Sequence, residues 1–197
     1  MKTNIKRLSL SLHSLTDFFL KIGISIEPSK IELKHFTAYD VTASQHKFLH
    51  KKQPSLFFNN HEIKPLDIWH YLGFFFDSFL NFNFHTKYYT NKAFSALWAC
   101  NMLGNLCKGL NPKNRILAYR SCIVLVLSYG APLWYSFHGI GTKKNLVLMN
   151  CVQNFAVRWI TGGFHTTPIG AMELLSGIPP LYISLNLLLS RTIAHIL

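Results

Sequence analysis

The groups in this chain that could do chemistry are mostly cations. Lys and Arg number 20 against 8 Asp and Glu, a formal net charge of +12 with a pI near 9.7. Past Asp77 the only carboxylate is Glu173, against ten Lys and Arg. A centre that clamps two divalent cations needs several converging carboxylates, which the second half of the chain does not supply. It carries instead Lys87, Lys92, Lys108, Lys113, Arg115, Arg120, Lys143, Lys144 and Arg158, interleaved with Tyr88, Tyr89, Trp98 and Trp159. With almost no acids between them to pair with, these cations point to phosphate contact and so to an acidic partner: nucleic acid or an anionic membrane surface.

Other candidate motifs lack a necessary part. His46 and His50 have the i, i+4 spacing of a helical metal pair, but no Glu follows the first and no third ligand stands at a plausible distance. Gly104 and Gly109 have the glycine spacing of a phosphate loop without the Lys-Ser/Thr that follows one or the strand that leads into one. There is no Gly-x-Ser-x-Gly. Cys100, Cys107, Cys122 and Cys151 lie in apolar surroundings with no CxxC pair, which predicts buried free thiols in a reducing compartment.

The elements that must position these groups fall into two styles. Ile5, Leu8, Leu12, Leu15, Phe19 and Ile22 repeat at helical spacing, so a helix is predicted from about Asn4 to Lys21, closed by Gly23. Glu27 to Lys30 reads as a turn around Pro28, and the alternation from Ile31 to Phe36 as a strand. Residues 37–54 read as a polar loop. Ser55–Phe58 and Glu62–Lys64, joined by Asn59-Asn60-His61, read as a hairpin. The run Ile68 to Asp77 is dense in aromatic residues and reads as one strand buried on both faces, its Gly73 marking a bulge or a close backbone approach.

Helical patterns then take over. Ala93, Ala96, Leu97, Cys100, Leu103 and Cys107 form a small-residue stripe on a helix from about Thr86 to Cys107. Asn111-Pro112 is an N-cap followed by proline at the first helical position, opening a helix through Ile116, Tyr119, Ile123 and Leu127. Another runs from Thr142 or Lys143 to Gly162-Gly163 with Leu146, Met149, Val152, Ala156 and Trp159 inward. Thr167-Pro168 opens a short helix capped at Gly177, and Pro179-Pro180 precedes a last apolar helix. The uncharged run Ser121 to Phe137, extended to Ile140, approaches bilayer length, but Gly130 and Pro132 interrupt it, which favours a buried core helix over a membrane span.

In order and spacing these segments resemble the C-terminal part of the reverse transcriptase of non-LTR (LINE-type) retrotransposons, in particular the fungal elements. Gly23 to Leu33 is similar to the segment after the catalytic hairpin, motif D. Trp69 to Phe74, with Asp77, Leu80, Phe82 and His85, resembles the primer-grip hairpin, motif E. Asn111-Pro112 through Tyr119-Arg120, then Tyr129-Gly130 and Leu133-Trp134, resembles the thumb. Trp159 to Pro168 and Ser176 to Leu181 resemble the region after it.

The resemblance implies a polymerase that holds two Mg2+ ions on three aspartates, two of them in a Tyr-x-Asp-Asp turn. This chain has no Asp-Asp pair and starts roughly where the segment after that turn would begin. The expectation is therefore a fragment inactive alone, with no cofactor of its own, kept inside the cell. Its expected partners are an RNA–DNA or DNA duplex and the missing palm and fingers half, rather than a membrane. Tyr71, Leu72 and Gly73 would hold the primer backbone, and Lys30 matches the motif D lysine. Lys92, Lys108, Lys113, Arg115 and Arg120 would meet duplex phosphates. The fold expected is α+β: residues 1–85 an N-terminal helix and small antiparallel sheet forming a partial palm and primer grip, 86–140 a helical thumb, and 141–197 a helical connection. The runner-up is a small membrane-associated helical protein spanning at 121–140.

Overall fold

The computed structural model describes residues 2–36, 54–59, 61–103, 109–135 and 140–196. The architecture is α+β, and the chain divides into two compact units, Met1–Leu80 and Asn81–Leu197. The helices expected on either side of residue 140 lie in the same unit.

The first unit opens with α1, Lys2–Lys21. Of its apolar stripe, Ile5 and Leu12 pack on a small core of Leu33, Leu56, Phe58 and Ile63, while Leu8, Leu15 and Ile22 stay exposed. Gly23 ends the helix in the left-handed region, φ +80°. There Ile24 N donates to Phe19 O and Gly23 N to Leu20 O, the paired bonds of a Schellman motif. Pro28–Lys30 is a 3-10 turn preceded by an extended Glu27, as Pro28 requires. The strand expected over 31–36 is absent. Leu33 makes one parallel bridge to Pro65, and the Leu66 amide bonds Leu33 O at 2.8 Å. One buried residue and one bridge are not enough to sustain a ladder.

The hairpin at 55–64 forms as β1, Leu56–Phe58, and β2, His61–Ile63, antiparallel with Leu56 opposite Ile63 and Phe58 opposite His61. The run from Ile68 to Asp77 is not one strand. It folds back on itself as β3, Ile68–Tyr71, and β4, Phe74–Asp77, with Tyr71 opposite Phe74. Leu72 and Gly73 both have positive φ, +48° and +80°, the pattern of a two-residue type I′ turn. Gly73 therefore serves a turn, not a bulge, and the strands are half-exposed rather than buried on both faces. The two hairpins are separate two-stranded sheets rather than one.

The second unit is helical. Among its described residues α2 is Asn83–Met102, α3 Pro112–Ala118, α4 Leu125–Leu127, α5 Ala131–Trp134, α6 Ile140–Thr161, α7 Ile169–Ser176 and α8 Leu181–Ile196. Ala93 and Leu97 of α2 are fully buried, and α2 packs more extensively on α6 than any other pair of these helices. Small side chains allow that approach, and Phe155 of α6 meets Phe94 and Trp98 of α2 at ring distances of 6.3 and 5.1 Å. Met149, Val152, Ala156 and Trp159 point inward as the pattern predicts. Asn111 caps α3, its side chain accepting from Asn114 N at 2.8 Å.

Between α3 and α4 the helix continues as a π-turn, Tyr119–Val124. Arg115, Tyr119, Ile123 and Leu127 are all buried at a strict spacing of four. In an α-helix each such step drifts by about 40° off the face. The wider π-turn absorbs the drift and keeps all of them inward. Gly130, φ +63°, then separates α4 from α5 within the uncharged run that begins at Ser121. Among the described residues no single helix is long and apolar enough to cross a membrane. The bent pair α7 and α8, at 53°, passes on length and composition together.

Candidate nucleic-acid interface

In the first unit the residues expected to hold a primer stand on the β3–β4 hairpin. Alternation puts Trp69 and Tyr71 on one face with their cross-strand partners Phe76 and Phe74. The Trp69 and Tyr71 rings stack at 5.0 Å and 13°, and Trp69 meets Phe76 at 5.5 Å. Trp69 Nε1 donates to Glu32 Oε2 at 2.8 Å, which fixes the indole on the hairpin. At the tip Tyr71 is 51% and Leu72 73% exposed. The three residues expected to grip a primer thus sit together on an exposed tight turn.

Lys34 ties the hairpin base to the preceding segment. Its Nζ donates to Leu66 O and Ser78 Oγ, both at 3.0 Å, and to Asp67 O. Desolvation pulls its pKa below the usual lysine value, partly countered by Asp67 and Asp77. Lys30 is in a different situation. It lies on the 3-10 turn, its side chain 81% exposed, paired with Glu27 at 3.3 Å. Glu27 also accepts from Ser29 Oγ at 2.6 Å, and these two contacts, Ser29 first, lower its pKa.

The expected phosphate contacts of the second unit divide. Lys92, Lys113 and Arg120 are exposed. Lys92 Nζ lies 5.8 Å over the Tyr89 ring, and Arg120 Nη2 donates to Gly177 O at 3.0 Å. Lys108 lies outside the described residues, as do His46, His50 and Cys107. Arg115 is a correction. It is 2% exposed, its Nε donating to Leu110 O at 2.8 Å and Nη1 to Trp159 O at 2.7 Å, with the guanidinium 5.4 Å over the Trp159 ring. Four residues before Tyr119 on the inward face, it is a core pin between α3 and α6 and cannot reach a phosphate. The cysteines need correction too. Cys100 is half-buried, but Cys122 and Cys151 are exposed, because they stand on the outer sides of helices whose inner stripes are filled by Ile123 and Val152.

Sequence reasoning missed a buried polar hub. Tyr119 OH donates to Gln153 Oε1 at 3.1 Å, and Gln153 Nε2 donates to Glu173 Oε1 at 2.8 Å and Pro179 O at 3.1 Å. Burial, and secondarily the Glu173 charge, push the Tyr119 phenol well above its ordinary pKa, so it remains a neutral donor. The available signal was a glutamine beside Val152, on a helical face that is apolar apart from it and Asn145. A second cluster surrounds the Tyr129 carbonyl, which accepts from His85 Nε2 at 3.2 Å and Trp134 Nε1 at 3.1 Å.

Among the described residues no group of three or more His, Cys, Asp or Glu converges to hold a metal ion. The carboxylates among the described residues are dispersed and form no two-metal cradle. Comparison of the chain with protein-family models, with curated proteins and with solved structures found no match.

Proposed function

We propose that this chain is the primer-grip and thumb portion of a non-LTR retrotransposon reverse transcriptase, which contacts a template–primer duplex and does not polymerise by itself. The observation that carries the reading is the Leu72-Gly73 turn. It lies where the resemblance puts the primer grip, and a tight turn with glycine at positive φ allows another backbone to approach closely. The exposed cations Lys92, Lys113 and Arg120, in a unit whose only acid is Glu173, support phosphate contact. Arg115 leaves the set and Lys30 has no reacting group to serve. The palm and fingers half would be a partner, and Mg2+ a cofactor of the intact enzyme only.

The test is binding of an RNA–DNA hybrid across a salt series. Affinity should fall steeply with salt, because each phosphate contact releases counterions. Replacing Lys113→Glu with Arg120→Glu should flatten the slope of log affinity against log salt by about 2 without unfolding the chain. An unchanged slope would remove these two residues from the interface, and salt-independent binding would remove the proposal.

A further inference from the structure

The outer side of α2 does not look like the solvent face of an ordinary helix. A helix that buries Ala93 and Leu97 should turn polar residues outward. Here the exposed side carries Phe84, 44% exposed, Tyr88, 43%, and Trp98, 50%. Between them stand the exposed Lys87, Asn91 and Lys92. No carboxylate lies anywhere on α2. Phe84 and Tyr88 are one turn apart, about 6 Å along the axis, and Trp98 follows about 15 Å beyond Tyr88. The Tyr88 and Trp98 rings are held in place from inside. Tyr88 packs edge-on to Tyr89 at 5.3 Å, Tyr89 stacks on Tyr129 at 4.8 Å and 26°, and Trp98 rests on Phe155.

We infer that this side of α2 is a track for an unpaired strand of nucleic acid. Bases stack on Phe84, Tyr88 and Trp98, and Lys87 and Lys92 meet the phosphates between them. Every base has a π face, so stacking of this kind tolerates any sequence, and a positively charged track follows the backbone. Charge favours this occupant. The sequence of this unit has a single Asp or Glu, Glu173, so a polyanion meets almost no repulsion. An apolar protein partner would make no use of Lys87, Asn91 and Lys92 in the middle of the stripe. The site stands on this helix alone and does not depend on descent from a polymerase.

The experiment uses the full chain and a fluorescein-labelled oligothymidylate about 12 nucleotides long. Binding should quench tryptophan fluorescence. Tyr88→Ala and Trp98→Ala should each weaken affinity by about 5- to 100-fold, at low and at high salt alike. Lys92→Ala should weaken it mainly at low salt. Circular dichroism of each variant checks that the helices are intact. Phe84→Ala is a third aromatic variant, in case Trp98→Ala disturbs the contact with Phe155. Oligothymidylate affinity unchanged by the aromatic replacements, or lost only through the lysines, would overturn the stacking track, as would no binding at all. The hybrid-duplex test with Lys113→Glu and Arg120→Glu reads other residues, so either result can fail while the other stands.

Discussion

The two units of this chain reach stability by different means. The first, Met1–Leu80, depends on turn chemistry. Its described core is four residues, Leu33, Leu56, Phe58 and Ile63, and α1 covers it with part of one stripe. Leu10, Phe18 and Leu20 of α1 remain exposed. Seven of the eight carboxylates are in this unit's sequence. The second, Asn81–Leu197, depends on helix packing pinned by buried polar groups. Ala93, Leu97, Val152, Ala156 and Val157 are fully buried there, and Arg115, Gln153 and Tyr119 bond across helices. A small core cannot tolerate the loss of one large side chain, whereas a large core is most vulnerable where its polar pins are cut.

The comparison can be broken by mutation. Phe58→Ala should cost about 4 kcal/mol, because it removes the largest side chain of the small core. Hydrogen exchange should then show β1 and β2 losing protection while α6 keeps its own. Equal loss in α6 would mean that the two units share one cooperative transition. Arg115→Ala should cost about 3 kcal/mol in urea unfolding, since it leaves the Leu110 and Trp159 carbonyls without their donor and opens a cavity. Lys113→Ala, two residues away on the exposed side, should change stability by less than about 0.5 kcal/mol.

A stabilising change sharpens the contrast from the other side. Leu72 holds φ +48° without being glycine or asparagine, and type I′ turns favour Asn-Gly. Leu72→Asn should therefore raise the stability of the β3–β4 hairpin by about 0.5–1 kcal/mol, read as slower exchange of its amides. If protection fell, the exposed leucine would be contributing more through packing than its strained backbone costs.

The smallest effect is a pH dependence of the second unit. Burial lowers the His85 pKa below its ordinary value, with the Tyr129 carbonyl opposing in part. A histidine with a depressed folded pKa binds its proton more readily unfolded. Stability should then be highest above the unfolded value of about 6.5 and fall as pH drops below it toward the folded pKa. Melting temperature measured from pH 7.5 to 5 should show this fall, and His85→Gln should make it shallower. An identical slope in the variant would assign the dependence to other histidines.

Local signals were legible wherever one residue type decides the backbone. Gly23, Gly162 and Gly177 end helices, Asn111-Pro112 starts one, and the inward stripe of α6 follows its 3.6 period. The α+β class and the cation excess of the second half follow from the same reading. Short apolar runs were not legible. Ile68 to Asp77 has the composition of a buried strand, but composition does not say whether such a run continues or doubles back. Only the positive φ values at Leu72 and Gly73 make it a hairpin.

The sequence alone marked Gly23, Gly162 and Gly177 as helix ends and Asn111-Pro112 as a helix start, and it showed a second half with a single Asp or Glu, because those properties belong to neighbouring residues and to composition. The tertiary structure decided which charges are available. Arg115 and Arg120 are five residues apart on one continuous helix and look alike in sequence. One is sealed under Trp159 and the other reaches the surface. The difference comes from the face each presents to α6, which the π-turn helps to set and which no local pattern of charge records.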